Sequence, residues 1–246
     1  MRIRLSALNV FIVVAAVLAL ASCNSEVGQK AEVRPKPSIR ILFIGNSYTF
    51  FNGGIDKQLE GLDPSVETVR VAPGGYTLEK HWDDGKALQN ILNGGWSYVV
   101  LQEQSQRPAL ENEKDKFREY ARKLDSEIRA NGARTVLLMT WERPDSIRYG
   151  VTTANMSTVF NAAGAELGAR VAPAGTAFAR SLRERPDIAL YVQDGHPTTY
   201  GTYLAACVLY GVIFNKSPVG NPFSDKSIPP ETRAYLQRIA AETVGL

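Results

Sequence analysis

Two apolar patterns alternate along this chain. Continuous or alternating apolar runs occur at 39–45 (IRILFIG), 66–71 (VETVRV), 96–101 (WSYVVL) and 134–139 (RTVLLM), with a shorter one at 170–173. They read as five strands. Helical patterns fill the gaps, at 54–62, 77–92, 111–130, 153–167 and 174–184. In the 111–130 segment Phe117, Tyr120, Ala121, Leu124 and Ile128 recur at helical spacing with charges between them, so this helix covers one face of a sheet. The run at 200–214 is apolar nearly all round and predicts a buried helix, and a last helix is expected at 231–241. Near-continuous apolar strands separated by helices predict a parallel sheet covered on both sides, a three-layer α/β/α sandwich of about five strands. In such sheets ligands bind at the carboxyl ends of the strands.

Composition narrows the class. Of 246 residues 44% are hydrophobic and 22% charged, which fits a globular chain and excludes disorder and a polytopic membrane protein. A formal charge of +3 is too small for a nucleic-acid footprint. With two histidines and two cysteines, multi-histidine zinc sites and disulfide scaffolds are excluded.

The first residues read as an address. Arg2 and Arg4 precede twelve uncharged apolar residues at 10–21, too few to span a bilayer and of signal-peptide length. Leu20-Ala21-Ser22-Cys23 then resembles the bacterial lipobox, in which the cysteine receives lipid. The expected organisation is a lipoprotein signal peptide at 1–22, lipidated Cys23 with a polar, proline-bearing tether to residue 37, and one folded domain at 38–246. That predicts a bacterial envelope protein held to the membrane by its N-terminal lipid. Cys207, within an apolar helical run, reads as an inert core thiol.

Candidate chemistry clusters where strands are expected to end. The first run continues into Gly45-Asn46-Ser47-Tyr48-Thr49, which puts a serine at the top of the sheet; Asn46 reads as a turn residue. After the second come Gly74 and Gly75, which turn tightly or offer a backbone N–H to a ligand. The third is followed by Gln102-Glu103-Gln104-Ser105-Gln106-Arg107-Pro108, where amide donors would face developing negative charge or line a solvated loop. Asp194-Gly195-His196-Pro197 precedes the buried helix; in an extended segment Asp194 and His196 share a side, so the carboxylate can orient the imidazole. Phosphate-binding glycine motifs and the G-x-S-x-G elbow are missing from the sequence. His81, within a helical stretch, reads as structural. Trp141-Glu142-Arg143-Pro144 is a candidate pocket wall, as are Tyr48, Phe50 and Phe51.

Taken together, GNSYT, the Gly74-Gly75 turn and DGHP resemble the SGNH/GDSL hydrolase superfamily, over roughly residues 39–214. The likeness is closest to a bacterial branch carrying GGYTLEKHW, WSYVVLQEQSQRP and GHPTTYGTYLAACVLYGVIF. It implies a flavodoxin-like α/β/α fold and hydrolysis of carboxylic esters through an acyl-enzyme. Ser47 would be the nucleophile, His196 the base and Asp194 the orienting acid. The Ser47 and Gly75 N–H groups and the Gln104 amide would hold the oxyanion, and neither metal nor cofactor is required. Two departures stand out: Gln104 falls where the family has asparagine, and Asp194-x-His196 is one residue shorter than the usual Asp-x-x-His, with Asp187 as a fallback acid. The expected substrate is a small ester or an acylated glycan, for instance in a carbohydrate acetylesterase. The alternative is a glycan-binding envelope lipoprotein that keeps the fold without catalysis.

Overall fold

The structure, a computed structural model, describes residues 39–246. The expected signal peptide, Cys23 and the tether lie outside the described residues. Five strands form one parallel sheet: β1 (Ile39–Ile44), β2 (Val66–Val71), β3 (Tyr98–Leu101), β4 (Arg134–Leu138) and β5 (Arg170–Ala172), in the order β2-β1-β3-β4-β5. β1 pairs along its whole length with β2, Ile39 beside Val66 and Ile44 beside Val71, and from Ile41 to Ile44 it pairs with β3. The strand order reverses between β1 and β3, and the carboxyl ends on either side of such a switch point form a crevice.

Alternation along the strands divides the core into two layers. Ile41, Phe43, Val100, Val136 and Leu138 face one side. There they meet α2 (Ile55–Leu62), α7 (Ala174–Glu184), α8 (Thr199–Phe214) and α9 (Pro230–Thr243). Leu42, Ile44, Val99, Leu101 and Leu137 face the other. α3 (Leu78–Asp83), α4 (Lys86–Asn93), α5 (Lys114–Ala130) and α6 (Thr153–Leu167) cover that side. Because the inner strands β1, β3 and β4 are buried on both faces, their apolar residues are consecutive, whereas the edge strand β2 alternates. α8 is almost wholly buried and carries Cys207, whose thiol burial pushes up to about 12 and makes unreactive.

Two local elements differ from the sequence pattern. The helix expected over 77–92 is broken into α3 and α4 at Gly85, whose φ of +72° is left-handed. The apolar period carries through the break, so the pattern alone did not show it. A four-residue helix, α1 (Ser47–Phe50), follows β1 directly, too short to register as a period.

No atom crowds the position a Cβ would take on Gly85, so Gly85→Ala is charged only with the left-handed backbone. It is expected to lower unfolding free energy by about 1–2 kcal/mol, read from the urea midpoint. An unchanged midpoint would contradict that account.

Candidate active site

A reciprocal amide pair organises the end of β1. Gln102, the first residue past β3 and only 1% exposed, accepts the Asn46 backbone N–H through Oε1 at 3.0 Å. Its Nε2 donates back to Asn46 Oδ1 at 3.0 Å. Asn46 Oδ1 also takes the Tyr48 N–H at 3.1 Å, capping α1. Its Nδ2 donates 2.9 Å to the Tyr76 carbonyl, in the segment after β2. Thr49 Oγ1 donates to Gln102 Oε1 as well, at 2.8 Å. One side-chain pair thus joins the exits of β2, β1 and β3, and Ser47 is the next residue along. Asn46 is a turn residue, as its sequence context suggests, but it also bridges three strands. The sequence reading favours Gln104, two residues on, over Gln102. The usable signal was a polar residue at the end of a run whose four strand residues are all buried.

His81 supports the same turn from below. It is fully buried and its Nε2 donates 2.6 Å to the Gly45 carbonyl, which fixes the proton on Nε2. Burial lowers its pKa and keeps it neutral, so it is structural.

Ser47, half-buried at the first position of α1, meets His196: Oγ lies 2.8 Å from Nε2 across 149 positions of sequence. His196 stands on a tight hairpin whose carbonyls are held in turn. Arg143 Nη1 donates to Asp194 O at 2.7 Å, Trp141 Nε1 to Gly195 O at 2.9 Å, and Asn52 Nδ2 to Pro197 O at 2.7 Å. The Val192 N–H donates to His196 O at 2.9 Å. Gly195 makes this possible. Its φ is +87°, and a Cβ there would lie 1.9 Å from Arg143 Cδ and 2.3 Å from the Tyr48 hydroxyl. The Phe51 ring stacks on the imidazole at 4.1 Å, and Tyr48 meets it edge-on at 5.3 Å while lying flat on Trp141. Tyr48, Phe51 and Trp141 therefore set the ring plane of His196; Phe50 packs on Phe51.

Asp194 is brought to His196, but obliquely. Its Oδ1 lies 2.9 Å from Nδ1, yet the direction is too far off the ring N–H for a proper hydrogen bond. The same oxygen accepts the His196 backbone N–H at 3.0 Å, closing an Asx turn. That backbone bond, followed by the contact with the His196 side chain, holds the carboxyl below its ordinary range. The carboxylate is 67% exposed. The fallback acid is elsewhere: Asp187 pairs with Arg185 on the surface and does not reach His196.

Of the expected oxyanion donors, Ser47 opens α1, Gly75 lies in the turn after β2 and Gln104 in the loop after β3. Among the described residues no acceptor pairs with the N–H of Ser47 or of Gly75. Gln104 Oε1 accepts the N–H groups of Gln106 at 3.0 Å and Arg107 at 3.1 Å. Those bonds orient the amide and leave Nε2 only a 3.4 Å contact with Ser105 Oγ. The glutamine-rich stretch is therefore structured, and not a solvated loop. Trp141 and Glu142 do line a cleft of about 600 Å³, with Thr176, Phe178 and Tyr191, but neither Ser47 nor His196 borders it. The serine–histidine contact, rather than this cleft, marks the candidate site.

Gln102→Leu removes the acceptor for the buried Asn46 N–H while filling similar volume. Leaving that group and Asn46 Oδ1 underpaired is expected to cost about 1–3 kcal/mol each. Denaturant unfolding measures it, and a loss within 0.5 kcal/mol, roughly the scatter of ordinary surface changes, would sink the clamp.

No protein-family model matches the chain. No curated protein of described function matches it. Solved structures do. A Slackia heliotrinireducens protein assigned as an SGNH hydrolase is 29% identical at a TM-score of 0.63, over 71% of this chain and 98% of that one. A DUF4886 family protein from Bacteroides uniformis is 18% identical at a TM-score of 0.69, over 84% and 94%. A catalytic mutant of an acetylxylan esterase from Geobacillus stearothermophilus is 15% identical at 0.53, over 74% and 95%. The last two are likenesses of fold. With a 2-1-3-4-5 parallel sheet, a serine and a histidine in contact above it and these neighbours, the chain has the α/β/α fold of the SGNH/GDSL hydrolases and is similar to them.

Proposed function

We propose that this protein is a serine esterase that cleaves carboxylic esters through an acyl-enzyme, with short acyl groups on carbohydrate as its substrates. The observation that carries the reading is the 2.8 Å contact between Ser47 Oγ and His196 Nε2 at the carboxyl end of β1. With Asp194 beside Nδ1, that nitrogen bears the proton and Nε2 is free to accept. Ser47 Oγ attacks the ester carbonyl carbon as its proton passes to Nε2, and the carbonyl π pair moves onto oxygen. Collapse of the tetrahedral intermediate expels the alcohol, which takes the proton from Nε2. Water then repeats the sequence on the acyl-enzyme and releases the acid. The N–H groups of Ser47 and Gly75 and the Gln104 amide would hold the oxyanion, each such donor ordinarily contributing about 2.7–4 kcal/mol.

The short-acyl reading draws on the fold shared with acetylxylan esterases. Lipidation at Cys23 would hold the enzyme on a bacterial envelope membrane, where acylated glycans are within reach. Intact serine and histidine argue against a purely glycan-binding role, since binding needs no activated nucleophile.

Asp194 would contribute less than the acid of a serine–histidine–aspartate triad usually does. Its carboxylate is mostly solvated and off-axis, and water screens its attraction for the imidazolium. The hairpin carbonyls and Phe51 already fix the ring.

The test is turnover of p-nitrophenyl esters from acetate upward by residues 24–246. Ser47→Ala and His196→Ala should each lower kcat/KM on the order of 10⁴-fold or more. Asp194→Ala should lower it only about ten- to a hundredfold. Rates that fall from acetate to longer chains support the acetylesterase, and the reverse order overturns it. A folded wild type that neither turns over nor labels with a fluorophosphonate would overturn the enzyme altogether.

A further inference from the structure

Glu103 is a buried carboxylate for which the chemistry above has no use. It follows Gln102 at the end of β3 and is 1% exposed. Oε1 accepts the Gln104 backbone N–H at 2.6 Å, and both oxygens share the Leu78 N–H at 3.3 Å. Leu78 opens α3, three residues after Gly75. The carboxylate therefore spans the two loops that carry the proposed oxyanion donors other than Ser47 itself.

A charge network reinforces the span. Arg107, 5% exposed, donates through Nε to Glu113 at 2.8 Å and through Nη2 to Glu79 of α3. Lys116 of α5 adds a 3.7 Å contact with Glu79. Arg107 and Glu79 are the charged groups felt by Glu103, the first favouring its ionised form and the second opposing it. Arg107 Nη1 is buried with no partner, so the guanidinium retains uncompensated donor capacity within the network.

We infer that Glu103 is a positioning residue for ester hydrolysis: its carboxylate clamps the loop after β2 to the loop after β3, and so holds Gly75 and Gln104 in register with Ser47. This rests on the esterase reading for its catalytic consequence but not for the clamp itself. The ionised form accepts both N–H groups at once; the neutral acid gives up acceptor capacity at one oxygen. Burial raises the Glu103 pKa from 4.5 to about 7 against the pull of those N–H groups and Arg107. Between these two values the folded state holds a proton that the unfolded chain has lost, so stability falls as pH rises through the window.

Two experiments on the full chain in detergent test this. In the first, Glu103→Gln keeps the shape but turns an amide NH₂ toward a backbone donor. It is expected to lower kcat on p-nitrophenyl acetate about tenfold or more, with KM changed less than about threefold, and to lose the fall in thermal midpoint between pH 5 and 8. Unchanged kcat in a folded Glu103→Gln overturns the positioning role. The second needs no variant: the backbone amide signals of Gln104 and Leu78 in wild type should titrate together near pH 7. Separate midpoints, or no titration, overturn the clamp. If the amides titrate together while wild type hydrolyses no ester, the clamp stands and the esterase reading falls.

Discussion

The site hangs on the exchange of hydrogen bonds between Asn46 and Gln102. Both amides are buried, and each must find partners inside the protein, because an unpaired polar group there costs more than a bond to water returns. Here the partners are each other, the backbone of the α1 turn and the Tyr76 carbonyl. The arrangement adopted places Ser47 at the head of α1 with its Oγ against His196 Nε2. His81 adds a further bond to the Gly45 carbonyl immediately upstream. Ser47 is thus held in place by polar groups gathered from the exits of three strands.

The histidine arm is built on a different principle. The carbonyls of Asp194, Gly195 and Pro197 are each held by a side-chain donor from another segment, and that of His196 by the Val192 N–H. Aromatic rings then hold the imidazole plane. This explains how the shortened Asp-x-His spacing is accommodated. Two residues apart, the carboxylate falls naturally into an Asx turn with the His196 N–H, and that bond keeps it from aligning with Nδ1. Orientation of the His196 imidazole rests on backbone and packing more than on a buried acid. A solvated carboxylate is a weak electrostatic partner, but it does not have to be desolvated to remain charged.

On the far side of the serine, burial creates the opposite situation. Glu103 has given up water for two N–H donors and a neighbouring guanidinium, and its proton affinity rises accordingly. Charges in this corner tie α3, the loop after β3 and the start of α5 together.

Much of this was legible in the amino-acid order. The three inner strands follow from uninterrupted apolar runs, since strands buried on both faces need them, and the edge strand at 66–71 from alternation. The serine at the first strand end and the histidine before the buried helix could be located because motif and topology agree there. The sequence could not reveal that Gly85 would break a continuing helical period, or that Gln102 rather than Gln104 would meet Asn46. Nor could it reveal that the Asp194 carboxylate would turn back onto its own backbone. Local pattern determines which segments become strand or helix, because periodicity is a property of neighbours along the chain. Which side chains meet at the strand ends is set by groups up to 149 positions apart, each taking its partner from what the packed sheet presents, so only the tertiary structure decided it.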